Sequence, residues 1–85
     1  MRRVSFHEQA FKDFAAWGQS DRKLQAKIAA LILDTLRDPF TGLGKPEPLK
    51  HNLAGCWSRR INDEHRLVYR VTDDALVILS CKYHY

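Results

Sequence analysis

The 85-residue chain is short of most things that familiar enzymes are built from. Its two cysteines, Cys56 and Cys81, are too few and too far apart for a disulfide framework, a CxxC pair or a zinc knuckle, and they read as small buried thiols on strands. The histidines His7, His51, His65 and His84 show no ligand spacing such as HxxxH, so a metal site is not expected. There is no glycine-rich phosphate loop and no serine or cysteine set in a nucleophile motif. No apolar run approaches the length that spans a bilayer. The opening "MRRVSFHEQAF" lacks the apolar core and small-residue cleavage site of a signal peptide, which leaves a cytoplasmic protein as the expectation.

What is present suits a small globular fold. Hydrophobic residues make up 45% and aromatics 11%, too many for a disordered chain. The length fits one domain, residues 1–85, whose small core would gain from a partner or from self-association. Lys and Arg number 14 against 10 Asp and Glu, a surplus of +4 that favours a polyanionic partner.

Periodicity orders the chain as β-α-α-β-β-β. Residues Arg3 to Phe6 form a first strand. Ala10, Phe11, Phe14, Ala15 and Trp17 recur at helical spacing, with Gly18 expected to close the helix and Ser20 or Asp21 to cap the next. Leu24, Ile28, Leu31, Ile32 and Leu36 stripe the second helix, with Asp34 and Arg37 outside the stripe, and Pro39 ends it. The loop "PFTGLGKPEPL" holds all three prolines and two of the four glycines. Beyond it the period becomes two: Trp57, Arg59 and Ile61 alternate with Ser58 and Arg60, and Leu67, Tyr69 and Val71 with Arg66 and Arg70. A further short strand is expected around Leu49 to Leu53. A mainly antiparallel sheet packed on a helical hairpin follows, an α+β fold with one apolar and one basic sheet face.

Several side chains invite chemistry. Glu47, framed by Pro46 and Pro48, is placed as rigidly as a general base needs to be, although a lone loop carboxylate is more often simply solvated. A three-residue turn at Asn62–Glu64 would set Arg60 beside Arg66. A similar turn at Asp73–Ala75 would bring His84 onto the same face. Both turns are assumed because they keep the arginines out of the core, where an unpaired guanidinium is costly. Arginine stabilises phosphoryl charge through its planar fork. His84 can act as an aromatic plug, a metal ligand or a proton donor near neutrality. Tyr83 is expected to plug the core beside Cys81 and Leu79, and Tyr85 to stack on a base. On these residues alone a metal-free ribonuclease is suggested, and an RNA-binding module remains open.

"GLGKPEPLKHNLAGCWSRRI", "EHRLVYRV" and "CKYHY", in this order and spacing, resemble the YoeB (Txe) toxins of type II toxin–antitoxin systems, within the RelE superfamily. The resemblance implies a RelE-like fold and an mRNA interferase that cuts message in the ribosomal A site without metal or cofactor. It implies Glu47 as the base on the ribose 2′-OH, Arg66 on the scissile phosphate and His84 as the acid for the 5′-oxygen. Lys50 and Arg60 would hold phosphate and transition-state charge, Tyr85 would orient or stack substrate, and Glu64 would support Arg66 or His84. It further implies a Phd/YefM-type antitoxin with a wrapping tail, and a homodimer. The departures are Cys56 for an aromatic, Leu43 for a lysine and Lys82 for an arginine. A ParE-like gyrase poison shares the superfamily fold, but would have no use for Glu47 and His84 in register.

Overall fold

The computed structural model describes residues 2–83. Strand β1 (Arg3–Phe6) leads into helices α1 (Glu8–Ser20) and α2 (Arg22–Arg37). Strand β2 (Glu47–Pro48), a 3-10 turn (His51–Leu53) and strands β3 (Cys56–Arg60), β4 (Arg66–Val71) and β5 (Ala75–Ser80) follow. The sheet runs β1-β5-β4-β3-β2, with β1 parallel to β5 and the other pairs antiparallel. This is the expected α+β architecture.

Two local expectations change. Helix α1 does not stop at Gly18 but runs through it to Ser20. A Cβ at Gly18 would lie 2.6 Å from the Gln25 side-chain amide, so this glycine lets α2 approach, and Gln25 Nε2 donates to the Phe14 carbonyl at 2.9 Å. Of the two candidate caps it is Asp21 that serves α2, accepting the Leu24 N–H at 3.1 Å. The strand expected around 49–53 lies earlier, at Glu47–Pro48, because Leu53 N–H donates back to Lys50 and closes the 3-10 turn.

Ile28 and Leu31 from α2 pack with Ile61, Leu67, Tyr69 and Ile78 from the sheet's inner face. Each such side chain contributes about 1.5–3 kcal/mol through burial. The outer face is not purely basic as expected. Leu49, Cys56 and Val68 form a second, smaller apolar cluster there, joined by Leu53 and Leu79. Cys56 and Cys81 are both buried and free.

The register decides which arginines meet. Ile61 N–H donates to the His65 carbonyl at 3.0 Å, so Asn62–Glu64 is the three-residue turn anticipated, and Arg60 lies opposite Arg66. The second turn differs. Thr72 N–H donates to the Ala75 carbonyl at 2.9 Å, leaving only Asp73 and Asp74 within the turn that this bond closes. A bulge then shifts the register: Tyr69 pairs with Ile78, but Val68 pairs with Ser80. The extra residue, Leu79, restores by a bulge the phase that a three-residue turn would have set. Leu79 consequently joins the outer cluster while Cys81 joins the core.

Candidate active site

Three strands build the site on the outer face. Glu47 of β2 lies opposite Ser58 of β3, and Ser58 opposite Val68 of β4. Arg66, two residues before Val68, shares its face. The Arg66 guanidinium reaches back over β3: Nη1 lies 3.1 Å from Glu47 Oε1 and 3.3 Å from Ser58 Oγ. Glu47 is 54% exposed and Arg66 24%, so the pair is open to a substrate from one side. Two of the three residues expected to carry the chemistry are thereby in direct contact. The third, His84, and Tyr85 lie outside the described residues.

The supporting residues are more scattered. Arg60 stands beside Arg66 across the ladder, and its Nη2 is ion-paired to Asp63. Lys50 is exposed at the start of the 3-10 turn, in an open groove of about 660 Å³ bordered by Glu47, His51 and Leu53. Glu64 is directed neither at Arg66 nor at another arginine: its Oε1 lies 3.6 Å from His65 Nε2. Tyr83 does not plug the core. It is 58% exposed with φ +64°, a left-handed conformation that turns its side chain away, and the core position belongs to Cys81. Among the described residues no group of three His, Cys, Asp or Glu is placed to hold a metal ion.

Arg59 overturns the expectation that every arginine avoids the interior. It is fully buried, and it is paired rather than stranded. Nη1 donates to Asp34 Oδ2 at 2.7 Å and to the Leu43 carbonyl at 3.0 Å. Nη2 donates to the carbonyls of Asp38 at 2.6 Å and Thr41 at 3.1 Å. Nε donates to Tyr69 Oη at 3.3 Å, and that hydroxyl donates to Pro39 at 2.7 Å. All five guanidinium N–H groups are thus used. The backbone N–H of Leu43, then Arg59 and Arg37, hold the Asp34 carboxyl well below the usual carboxylate range. Desolvation raises the Tyr69 hydroxyl's pKa. The hub ties α2 to the loop that delivers Glu47. Arg59 shares the alternation of Trp57 and Ile61, but its desolvation cost argued against the core; the partner carboxylate, on α2, was the missing signal.

His65 was also missed as a site neighbour. Only 5% exposed, it stacks edge-on against Trp17 at 4.9 Å, and its Nδ1 accepts the Tyr83 N–H at 2.7 Å. Nothing in its sequence context separates it from a solvated turn histidine.

Residues 6–85 match the family model for the YoeB-like toxin of bacterial type II toxin–antitoxin systems. Toxin YoeB of Escherichia coli K12 is 55% identical over 83 residues, covering 98% of this chain and 99% of the relative. The solved YoeB dimer from Staphylococcus aureus superposes with a TM-score of 0.92 at 49% identity, covering 99% of this chain and 98% of that one. The toxin in the YoeB–YefM complex from the same organism gives 0.91 at 48% identity, covering 100% and 99%. With family match, full-length identity and fold in agreement, this chain belongs to the YoeB-like toxins of bacterial type II toxin–antitoxin systems.

Proposed function

We propose that this toxin is a ribosome-dependent endoribonuclease that cuts mRNA in the A site through the substrate's own 2′-hydroxyl. The observation that carries the reading is the meeting of Glu47 and Arg66 above Ser58 on an open face. Glu47 takes the 2′-OH proton, and the 2′-oxygen attacks the adjacent phosphorus. Negative charge grows on the non-bridging oxygens, where Arg66, with Arg60 beside it, supplies directed N–H donors. The bond to the 5′-oxygen breaks and His84, next in sequence to Tyr83, returns a proton to it. The products are a 2′,3′-cyclic phosphate and a free 5′-hydroxyl. Because the nucleophile belongs to the RNA, the reaction calls on no metal or cofactor. Lys50 and Arg60 hold the backbone, Tyr85 orients a base, and Glu64 acts at a distance through His65.

In the free protein Glu47 and Arg66 satisfy each other, so substrate must part them. The ribosome supplies the orientation that makes this productive. The free toxin, acting in the cytoplasm where ribosomes are, is therefore a feeble nuclease on naked RNA. The antitoxin partner is of the Phd/YefM type and the toxin assembles as a homodimer, as in the S. aureus YoeB–YefM complex and YoeB dimer.

Primer extension on a translated message tests the reading, with wild type beside Glu47→Ala and His84→Gln. Wild type gives in-codon stops that both variants lose by orders of magnitude, while all three still sediment with ribosomes. Undiminished growth arrest in both variants moves the assignment to a gyrase poison or a non-catalytic RNA-binding module.

A further inference from the structure

Tyr83 is held at both of its backbone polar groups by two consecutive residues. Its N–H donates to the His65 imidazole Nδ1 at 2.7 Å, and its carbonyl accepts the Arg66 N–H at 3.1 Å. Two residues earlier, Trp17 Nε1–H donates to the Cys81 carbonyl at 3.2 Å. The same Trp17 packs edge-on against His65, whose ring lies 5.6 Å from that of Tyr83. β5 ends at Ser80, so strand pairing no longer holds this stretch of backbone. Besides the Arg66 N–H, two aromatic side chains, Trp17 from α1 and His65 just before β4, hold it.

The tautomer follows from the geometry. Because Nδ1 accepts an N–H, the imidazole proton sits on Nε2, facing Glu64 Oε1 at 3.6 Å. His65 is itself fixed, since its backbone N–H donates to Asn62 Oδ1 at 2.8 Å. A buried, oriented ring is thus spent on a single backbone N–H. That N–H belongs to a residue with φ +64°, a conformation an L-residue keeps only where its surroundings enforce it.

We propose that His65 is a positioning residue: its Nδ1 clamps the backbone of Tyr83, the residue that precedes His84 in the chain, beside Arg66. Its catalytic consequence rests on the nuclease reading. The clamp itself does not.

Two amide variants test the clamp. Asn carries an acceptor two bonds from Cβ, where Nδ1 sits. Gln carries one a bond further out, where Nε2 sits. In the free wild-type protein the Tyr83 amide is protected from hydrogen exchange. In His65→Gln that protection drops about tenfold, the effect of losing one buried hydrogen bond, and His65→Asn restores most of it. On programmed ribosomes the His65→Gln cleavage rate falls about tenfold while the half-saturating ribosome concentration stays within about twofold, and His65→Asn recovers the rate. Three results overturn the clamp: a wild-type Tyr83 amide that exchanges as fast as an unfolded chain, equal exchange in Asn and Gln variants, or a Gln variant at least as active as Asn. The first needs no variant to fold. If wild type cuts nothing on ribosomes, the nuclease reading fails, and the exchange comparison still decides the clamp.

Discussion

Glu47 and Arg66 come from strands that are not neighbours, yet their side chains meet at 3.1 Å by bridging over Ser58 on the strand between. An exposed carboxylate–guanidinium pair of this kind contributes roughly 0–1 kcal/mol to stability, too little to explain such a reach. On the proposed mechanism its value lies in placing a proton acceptor beside a charge stabiliser. Glu47→Ala and Arg66→Ala should each shift the urea midpoint little. Each should lower the cleavage rate on ribosomes by about a hundredfold or more, and the double variant should lose far less than the product of the two. A multiplicative double variant would mean that the two groups do not serve one step.

Arg59 should behave in the opposite way. Replacing it with Met takes one cation from the Asp34 carboxylate and strands the carbonyls of Asp38, Thr41 and Leu43, a loss on the order of 3 kcal/mol. Arg59→Lys should rescue little, because an ammonium cannot reproduce the planar fork that spans four acceptor groups and the Tyr69 hydroxyl. Urea unfolding of both variants checks this. Near-wild-type stability in the Met variant would show that the hub is not a major support of the fold.

The same hub sets an acid limit on the fold. Leu43 N–H, Arg59 and Arg37 keep Asp34 below its ordinary value of 3.8, and Asp38 is lowered in the same direction, chiefly by Phe40 N–H and then by the Thr41 hydroxyl. A carboxyl whose pKa is lower folded than unfolded gives its full stabilisation above the unfolded value. That stabilisation is lost as pH falls from there towards the folded value. Unfolding midpoints should therefore hold from neutrality to about pH 5 and fall steeply below about pH 4. Asp34→Asn should be weaker at pH 7 with a shallower acid limb. An unchanged acid limb in that variant would remove Asp34 as the cause.

Much of this was legible residue by residue. The helical stripe of α2 and the alternation in β3 and β4 are set by burial, which local sequence reports directly, and Ile28, Ile61 and Leu67 fell where the pattern put them. The Arg60–Arg66 meeting followed from a turn length and the period of two, whereas Glu47 was tied to Arg66 only by the family resemblance. Features that depended on a distant partner were not legible. The Leu79 bulge has no local signature, and it was needed because the Asp73–Asp74 turn is one residue shorter than assumed. Arg59 was placed outside the core by its desolvation cost, since the compensating Asp34 lies on another element. His65 looked like any turn histidine until Trp17 and Tyr83 closed on it.

Gly44 links the hub to the site. At φ +77° it occupies backbone space that L-residues rarely enter, and a Cβ there would lie 2.9 Å from the Arg60 carbonyl and 3.1 Å from Leu31 Cδ2. Its carbonyl accepts the Arg60 N–H at 2.7 Å, the bond that leads the chain alongside β3 into Glu47. Gly44→Ala should cost about 1–3 kcal/mol in urea unfolding from strain and crowding together. Because the displaced strand carries Glu47, cleavage on ribosomes should fall about tenfold or more even where the variant is fully folded, while ribosome binding persists. If Gly44→Ala were destabilised but cut at the wild-type rate, the path from the Arg59 hub through Gly44 would hold up the fold without aiming Glu47.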